Sequence, residues 1–191
     1  DKGIVSCDGN EVYVDCGGYT GDTAERYIRQ YGAYRHIYVY EPDPENVARC
    51  RENLKKYRDI TVKQCGVGER ADVLAMDSQG ASATFMKGQH TEAGQGVPII
   101  SLDEEIREPI TYCKMDIEGF EIPALLGASR HIREDFPKLA ICVYHVVTDI
   151  WEIPRLIDRL HPGYRLFLRH YDPNQNWETV VYAIPPETEG N

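Results

Sequence analysis

Four places in the sequence put a chemically able side chain at the end of an apolar run. Asp15 closes EVYVD and opens the glycine-bearing stretch CGGYTGDT. Glu41 closes HIYVYE, and Pro42 follows it. Asp116-Ile117-Glu118 follows ITYCKM, and His145 follows KLAICVY. In an extended chain, carboxyl groups two residues apart point the same way and can converge on one ligand. Convergent carboxylates raise each other's proton affinity, which favours a base that works near neutral pH. His145 is a second base candidate, because imidazole titrates in that range. Such oxygen and nitrogen donors also suit a divalent metal ion, although nothing in the spacing requires one. Plain solvation of a strand end, or a packed histidine, explains the same residues without chemistry.

These positions need strands behind them. GIVS (3–6), a CDGN turn and EVYVDC (11–16) predict a short hairpin entering a first core strand. TAERYIRQYG predicts a helix, with Ala24, Tyr27, Ile28 and Tyr31 on one face and Gly32 as its C-terminal stop. HIYVYEP (36–42) is a second strand and PENVARCRENLKKY a second helix, with Pro44 in its first turn. ITVKQCGVG (60–68) reads as one strand, and PIISLDE (98–104) as a short strand plus turn. ITYCKMDIEG (110–119) and KLAICVYHV (138–146) are strands, with IPALLGASRHI as one helix between them. A helix containing Pro154 spans 148–160, and YRLFLRHY with ETVVYAI makes an antiparallel hairpin. Residues 69–96 carry only weak strand signals, and 77–96 reads as a loop over the cofactor or a surface insertion.

Alternating strands and helices imply right-handed crossovers and a parallel sheet covered on both faces. Ligands of such sheets bind beyond the carboxyl ends of the strands. The 191 residues fit one domain, opening on DKGIVSCDGN as a segment excised from a longer protein would. No leader pattern and no membrane-length apolar run is present in these residues. A net charge of −10 argues against nucleic acid as a partner. The six cysteines have no metal spacing and lie largely in apolar runs, so reduced thiols in a cytoplasmic compartment are expected.

The first loop discriminates between cofactors. A dinucleotide site needs GxGxxG, and here Cys16 stands at the first glycine position, before Gly18 and Gly21. Asp15 beside a pyrophosphate would be unfavourable. S-adenosylmethionine carries no phosphate, and its ammonium and sulfonium tolerate an acid. Gly17, Gly18 and Gly21 let the backbone turn close to a ligand. Glu41 can accept both ribose hydroxyls, and Cys65–Val67, including Gly66, are placed to meet an adenine.

VDCGGYTGDT, YVYEPDPEN, ISLDE and above all KMDIEGFE resemble the successive motifs of FkbM-type methyltransferases. The resemblance implies a class I, Rossmann-like α/β fold: a doubly wound, mostly parallel seven-stranded sheet with an antiparallel C-terminal hairpin. It implies S-adenosylmethionine as cofactor and O-methylation of a saccharide, glycolipid or natural-product hydroxyl. By position it places Asp15, Gly17, Gly18, Tyr19, Thr20, Gly21, Asp22 and Thr23 around the methionine part. Glu41 and Pro42 fall at the ribose, and Asp116 and Glu118 beside the methyl group and acceptor. The alternative is a catalytically silent, methyltransferase-like binding or scaffold domain. Exposed aromatics such as Trp151 are candidates to stack on a sugar acceptor.

Overall fold

In the computed structural model of the chain, the described residues are 3–79, 82–90, 96–175 and 177–186. The chain begins β1 (Val12–Cys16), α1 (Asp22–Tyr31), β2 (His36–Glu41), α2 (Pro44–Leu54), β3 (Ile60–Gln64) and β4 (Gly66–Val67). It continues β5 (Asp72–Gln79), β6 (Ser82–His90), β7 (Val97–Ile100), α3 (Leu102–Glu105), β8 (Tyr112–Met115) and α4 (Glu121–Leu126). It ends α5 (Ser129–Glu134), β9 (Lys138–Cys142), α6 (Asp149–Leu160), β10 (Arg165–His170) and β11 (Thr179–Ile184).

Seven strands form the central sheet in the order β10-β11-β9-β8-β1-β2-β3. β11 alone runs against its neighbours, pairing antiparallel with both β9 and β10. The remaining pairs are parallel. This is the expected α/β sheet with its antiparallel C-terminal hairpin. The winding direction switches at β1, so a crevice opens between the carboxyl ends of β1 and β8.

Strand alternation sorts the core into two layers. Val14, Cys16, Cys113, Met115, Leu139 and Ile141 face α3 to α6 and are buried. Tyr13, Ile37, Val39, Tyr112 and Ala140 face the other way, toward α1 and α2. Each fully buried aliphatic side chain of this kind contributes about 1.5–3 kcal/mol. Local signals set the helix ends. Gly32, at φ 83°, stops α1 and donates its N–H to Ile28 O. Asp43 caps α2, accepting from Glu45 N and Asn46 N at 2.9 Å each.

Four sequence expectations need correction. Residues 3–6 form no strand, because β1 already has β2 and β8 along both edges. The segment instead packs across the sheet end: Tyr31 Oη donates to Val5 O, and Lys138 Nζ to Ser6 O. Residues 60–68 are two strands, not one. The chain leaves the central sheet at Cys65, and Gly66–Val67 pair with β7 in a second sheet of order β4-β7-β5-β6. Of the loop or insertion expected over 77–96, residues 77–79 and 82–90 lie in strands of that second sheet, and residues 80, 81 and 91–95 lie outside the described residues. The expected single helix over 122–132 breaks at Gly127. Its carbonyl accepts from Asp103 N and Ser101 Oγ, and Asp103 then caps α5 through Arg130 N and His131 N. All six cysteines are free, five of them buried. No helix among the described residues is long and apolar enough to cross a membrane.

Candidate active site

A cavity of about 720 Å³ opens at the switch point, within the usual range for small-ligand sites. One side is built by Tyr19, Asp22, Thr23, Glu41 and Pro42, the other by Asp116, Ile117, Glu118 and Tyr144. Cys65, Gly66 and Val67 form a further wall. Nine tyrosines among the described residues line it, including the stacked pair Tyr13 and Tyr27, with ring centroids 4.5 Å apart.

The glycine loop after β1 is shaped by its protein neighbours. Gly17 has φ 78°, and a Cβ there would lie 1.9 Å from Asp116 O. A Cβ on Gly18 would lie 2.1 Å from Val39 Cγ1. Gly21, at φ 84°, closes the turn by donating to Gly18 O, and a Cβ there would lie 3.0 Å from Leu54. Of the loop residues, Gly17, Tyr19, Asp22 and Thr23 face the cavity, whereas Gly18, Thr20 and Gly21 are not part of its lining.

Asp15 does not line the cavity either. It is fully buried, with Lys114 Nζ 3.1 Å from Oδ1. The ion pair is off-line for a hydrogen bond, and neither Asp15 oxygen has a directed donor among the described residues. Lys114 instead donates to Gly17 O at 2.8 Å and Cys16 O at 3.4 Å. Burial raises the Asp15 pKa, and Lys114 works against that rise. Burial would lower the pKa of Lys114, but Asp15 and Asp116 hold it above its ordinary value. Lys114 therefore stands between Asp15 and the cavity, pinning the loop. A lysine on an inward strand position needs a buried counter-charge, a requirement that does not by itself name Asp15 as the partner.

Glu41 is buried at the cavity edge. Its Oε2 accepts from Tyr19 N at 2.8 Å and its Oε1 from Asp43 N at 3.0 Å. Burial raises its pKa, and these backbone donors oppose the rise. Each oxygen keeps a second lone pair for a ligand hydroxyl.

Asp116, Glu118 and His145 come together, though not by strand alternation. β8 ends at Met115, and Glu118 and Gly119 take φ 55° and 90°, so a tight turn brings the carboxylates round. His145 lies three residues beyond the end of β9. Its Nε2 is 3.3 Å from Asp116 Oδ1 and 3.7 Å from Glu118 Oε2. Its Nδ1 lies 2.8 Å from Oε1 of the fully buried Glu121, which also accepts from Ile117 N at 2.9 Å. Burial alone would lower the His145 pKa; Glu121, Asp116 and Glu118 outweigh it and raise the value. The His145 side chain is 7% exposed and is not part of the cavity lining, whereas Asp116 and Glu118 are. Tyr144 donates to Asp116 Oδ1 at 2.9 Å, a role its apolar strand context did not reveal. Trp151 lies outside the lining, while the Trp177 ring is 6.5 Å from Tyr144.

A family model described as "Methyltransferase FkbM domain" matches residues 15–174. Among solved structures, a methyltransferase FkbM from Methylobacillus flagellatus is 31% identical, with a TM-score of 0.81 over 95% of this chain. The chain spans 45% of that protein's length. An rRNA methylase from Streptococcus thermophilus is similar at 16% identity and TM-score 0.57, over 92% of this chain and 86% of that one. Aeropyrum pernix fibrillarin, solved with bound S-adenosyl-L-methionine, is similar at 16% identity and TM-score 0.54, over 96% and 71%. The last two share the fold alone. No curated protein matches the sequence.

Proposed function

The chain belongs to the FkbM methyltransferase family, and from that premise we propose that it is an S-adenosylmethionine-dependent O-methyltransferase acting on a saccharide, glycolipid or natural-product hydroxyl. One observation carries the reading. A single cavity joins Glu41 and the glycine loop to the carboxylates Asp116 and Glu118, so a cofactor at one end and an acceptor at the other share a wall.

The residues present fit this cofactor better than a dinucleotide. Among the described residues, Asp22, Glu41, Asp116, Glu118 and Glu178 line the cavity against two cations, Arg26 and Lys114. Asp22 also opens α1, where a pyrophosphate would need bare N–H groups. Bound here, S-adenosylmethionine would supply a methyl group on a sulfonium, already a good leaving group. Glu41 would hold the ribose hydroxyls, Pro42 would border them, and Gly66 and Val67 would flank the adenine. Tyr19, Asp22 and Thr23 would border the methionine end. Asp15 would act at one remove, by fixing Lys114 and through it the carbonyls of Cys16 and Gly17.

Alignment of acceptor oxygen, methyl carbon and sulfur supplies much of the rate in such a displacement. The acceptor's proton is what remains. Asp116 presents a carboxylate to the cavity, and Tyr144 Oη donates to its Oδ1. With cofactor and acceptor bound, Asp116 would take the hydroxyl proton as the acceptor oxygen is methylated. Glu118 supports it electrostatically. The free thiols suit a reducing compartment such as the cytoplasm.

Incubation with methyl-labelled S-adenosylmethionine and a panel of hydroxyl-bearing glycans, glycolipids and small molecules tests the reading. Label should enter an acceptor oxygen, and Asp116→Asn should slow transfer by about 10²–10⁴-fold, the usual worth of a general base. Label arriving on nitrogen or carbon, or full activity in the variant, would reject it.

A further inference from the structure

We infer that His145, Asp116 and Glu118 form a binding site for a single divalent transition-row cation such as Mn²⁺, set in the cavity wall. The use of this site, though not its existence, rests on the methyl-transfer reading above.

His145 Nδ1 faces Glu121 Oε1 at 2.8 Å, a carboxylate that can only accept. The proton of a neutral imidazole therefore sits on Nδ1, and Nε2 presents a lone pair. That nitrogen is buried and has no hydrogen-bond partner among the described residues. It nonetheless faces two carboxylate oxygens, Asp116 Oδ1 at 3.3 Å and Glu118 Oε2 at 3.7 Å. Lone pair and anions would repel one another across this space. The same crowd of carboxylates that favours a proton there favours a metal ion.

Distances agree with that occupant. Ligand atoms about 2.1 Å from a shared ion, at angles of about 90–110°, stand about 3.0–3.4 Å apart. The 3.3 Å separation fits as it stands, and the 3.7 Å one closes with a small turn of the Glu118 side chain. Two of the three proposed ligands, Asp116 and His145, also fall with Glu121 in a group whose ligand atoms lie within 4.8 Å of one another. Glu121, fully buried, is the partner that fixes ring orientation and tautomer in metal-binding histidines. One nitrogen with two oxygens favours Mn²⁺, Fe²⁺ or Zn²⁺ over the all-oxygen preference of Ca²⁺ and Mg²⁺. Asp116 and Glu118 both line the cavity, so open coordination positions would meet an acceptor hydroxyl and lower its pKa.

The test is an Mn²⁺ titration of the metal-stripped chain, without cofactor, followed by electron paramagnetic resonance. One saturable site per chain is expected. It should be lost in His145→Ala and in the isosteric Asp116→Asn, and weakened about 10–100-fold in Glu121→Ala. No saturable Mn²⁺ binding by the folded wild-type chain would overturn the site, leaving a protonated His145 as the occupant of that space. Equal binding by wild type and both ligand variants would overturn it too. S-adenosylhomocysteine binding, titrated separately on the same stripped protein, distinguishes failure of the methyl-transfer reading from failure of the metal site.

Discussion

Asp15 and Lys114 show how a residue can be read correctly in type and wrongly in direction. The sequence placed an acid at the mouth of the first strand, and there it is. The structure turns it onto Lys114, whose amino group pins Gly17 O and Cys16 O. Breaking a buried pair from one side leaves a stranded charge, so Lys114→Met should cost about 3–5 kcal/mol in urea unfolding. Adding Asp15→Asn should recover much of that loss, whereas simple addition of the two penalties would refute the pairing. Glu41 gives a pH prediction. Its folded pKa is raised by burial, so it takes up a proton at a higher pH than a free glutamate as the medium acidifies. The protonated form accepts ribose hydroxyls less well. Calorimetry should show S-adenosylhomocysteine affinity falling on acidification, beginning at a higher pH than an ordinary glutamate would allow, with Glu41→Gln weaker and lacking that dependence. Asp116, Glu118 and His145 were legible as strand-end groups. The roles of Lys114 and Tyr144 were not, because apolar patterning does not say which buried polar groups meet.

At the scale of elements, the glycine loop joins the first strand to the first helix only because its neighbours leave no room for side chains. Gly17→Ala would drive a Cβ into Asp116 O and occupy a left-handed φ. The loop would have to move away from the carbonyl preceding Ile117, disturbing both ends of the cavity at once. Gly32→Ala shares the positive φ but meets nothing within 4 Å. It should cost only the penalty of a sparsely populated backbone conformation, about 1–3 kcal/mol, with S-adenosylhomocysteine binding unchanged. Comparison of the two variants by thermal melts and calorimetry separates strain from site geometry. Strong periodic elements were legible: α1, α2, β2 and the C-terminal hairpin fall where the pattern put them. The hairpin expected at 3–6 failed because strand propensity does not reveal that both edges of β1 are taken. The break at Gly127 failed for a similar reason, since its cause is a long-range capture of its carbonyl by Ser101 and Asp103.

The whole molecule is a seven-stranded sheet that brings a strand-end acid from β2 and a carboxylate cluster from beyond β8 and β9 to one cavity. A ligand binding only the folded state stabilises it by mass action, about 2.7 kcal/mol at one hundred times its dissociation constant. For a chain of this size that is a melting shift of about 5–11 °C with S-adenosylhomocysteine. NAD at equal concentration should give no shift, because the carboxylates lining the cavity oppose a diphosphate. The most direct measurement is a crystal structure of the chain with S-adenosylhomocysteine. Density should fill this cavity, with the ribose hydroxyls on Glu41, the adenine along Gly66 and Val67, and the sulfur turned toward Asp116. A cavity that stays empty under saturating ligand, or a ligand whose sulfur points away from Asp116, would contradict the account.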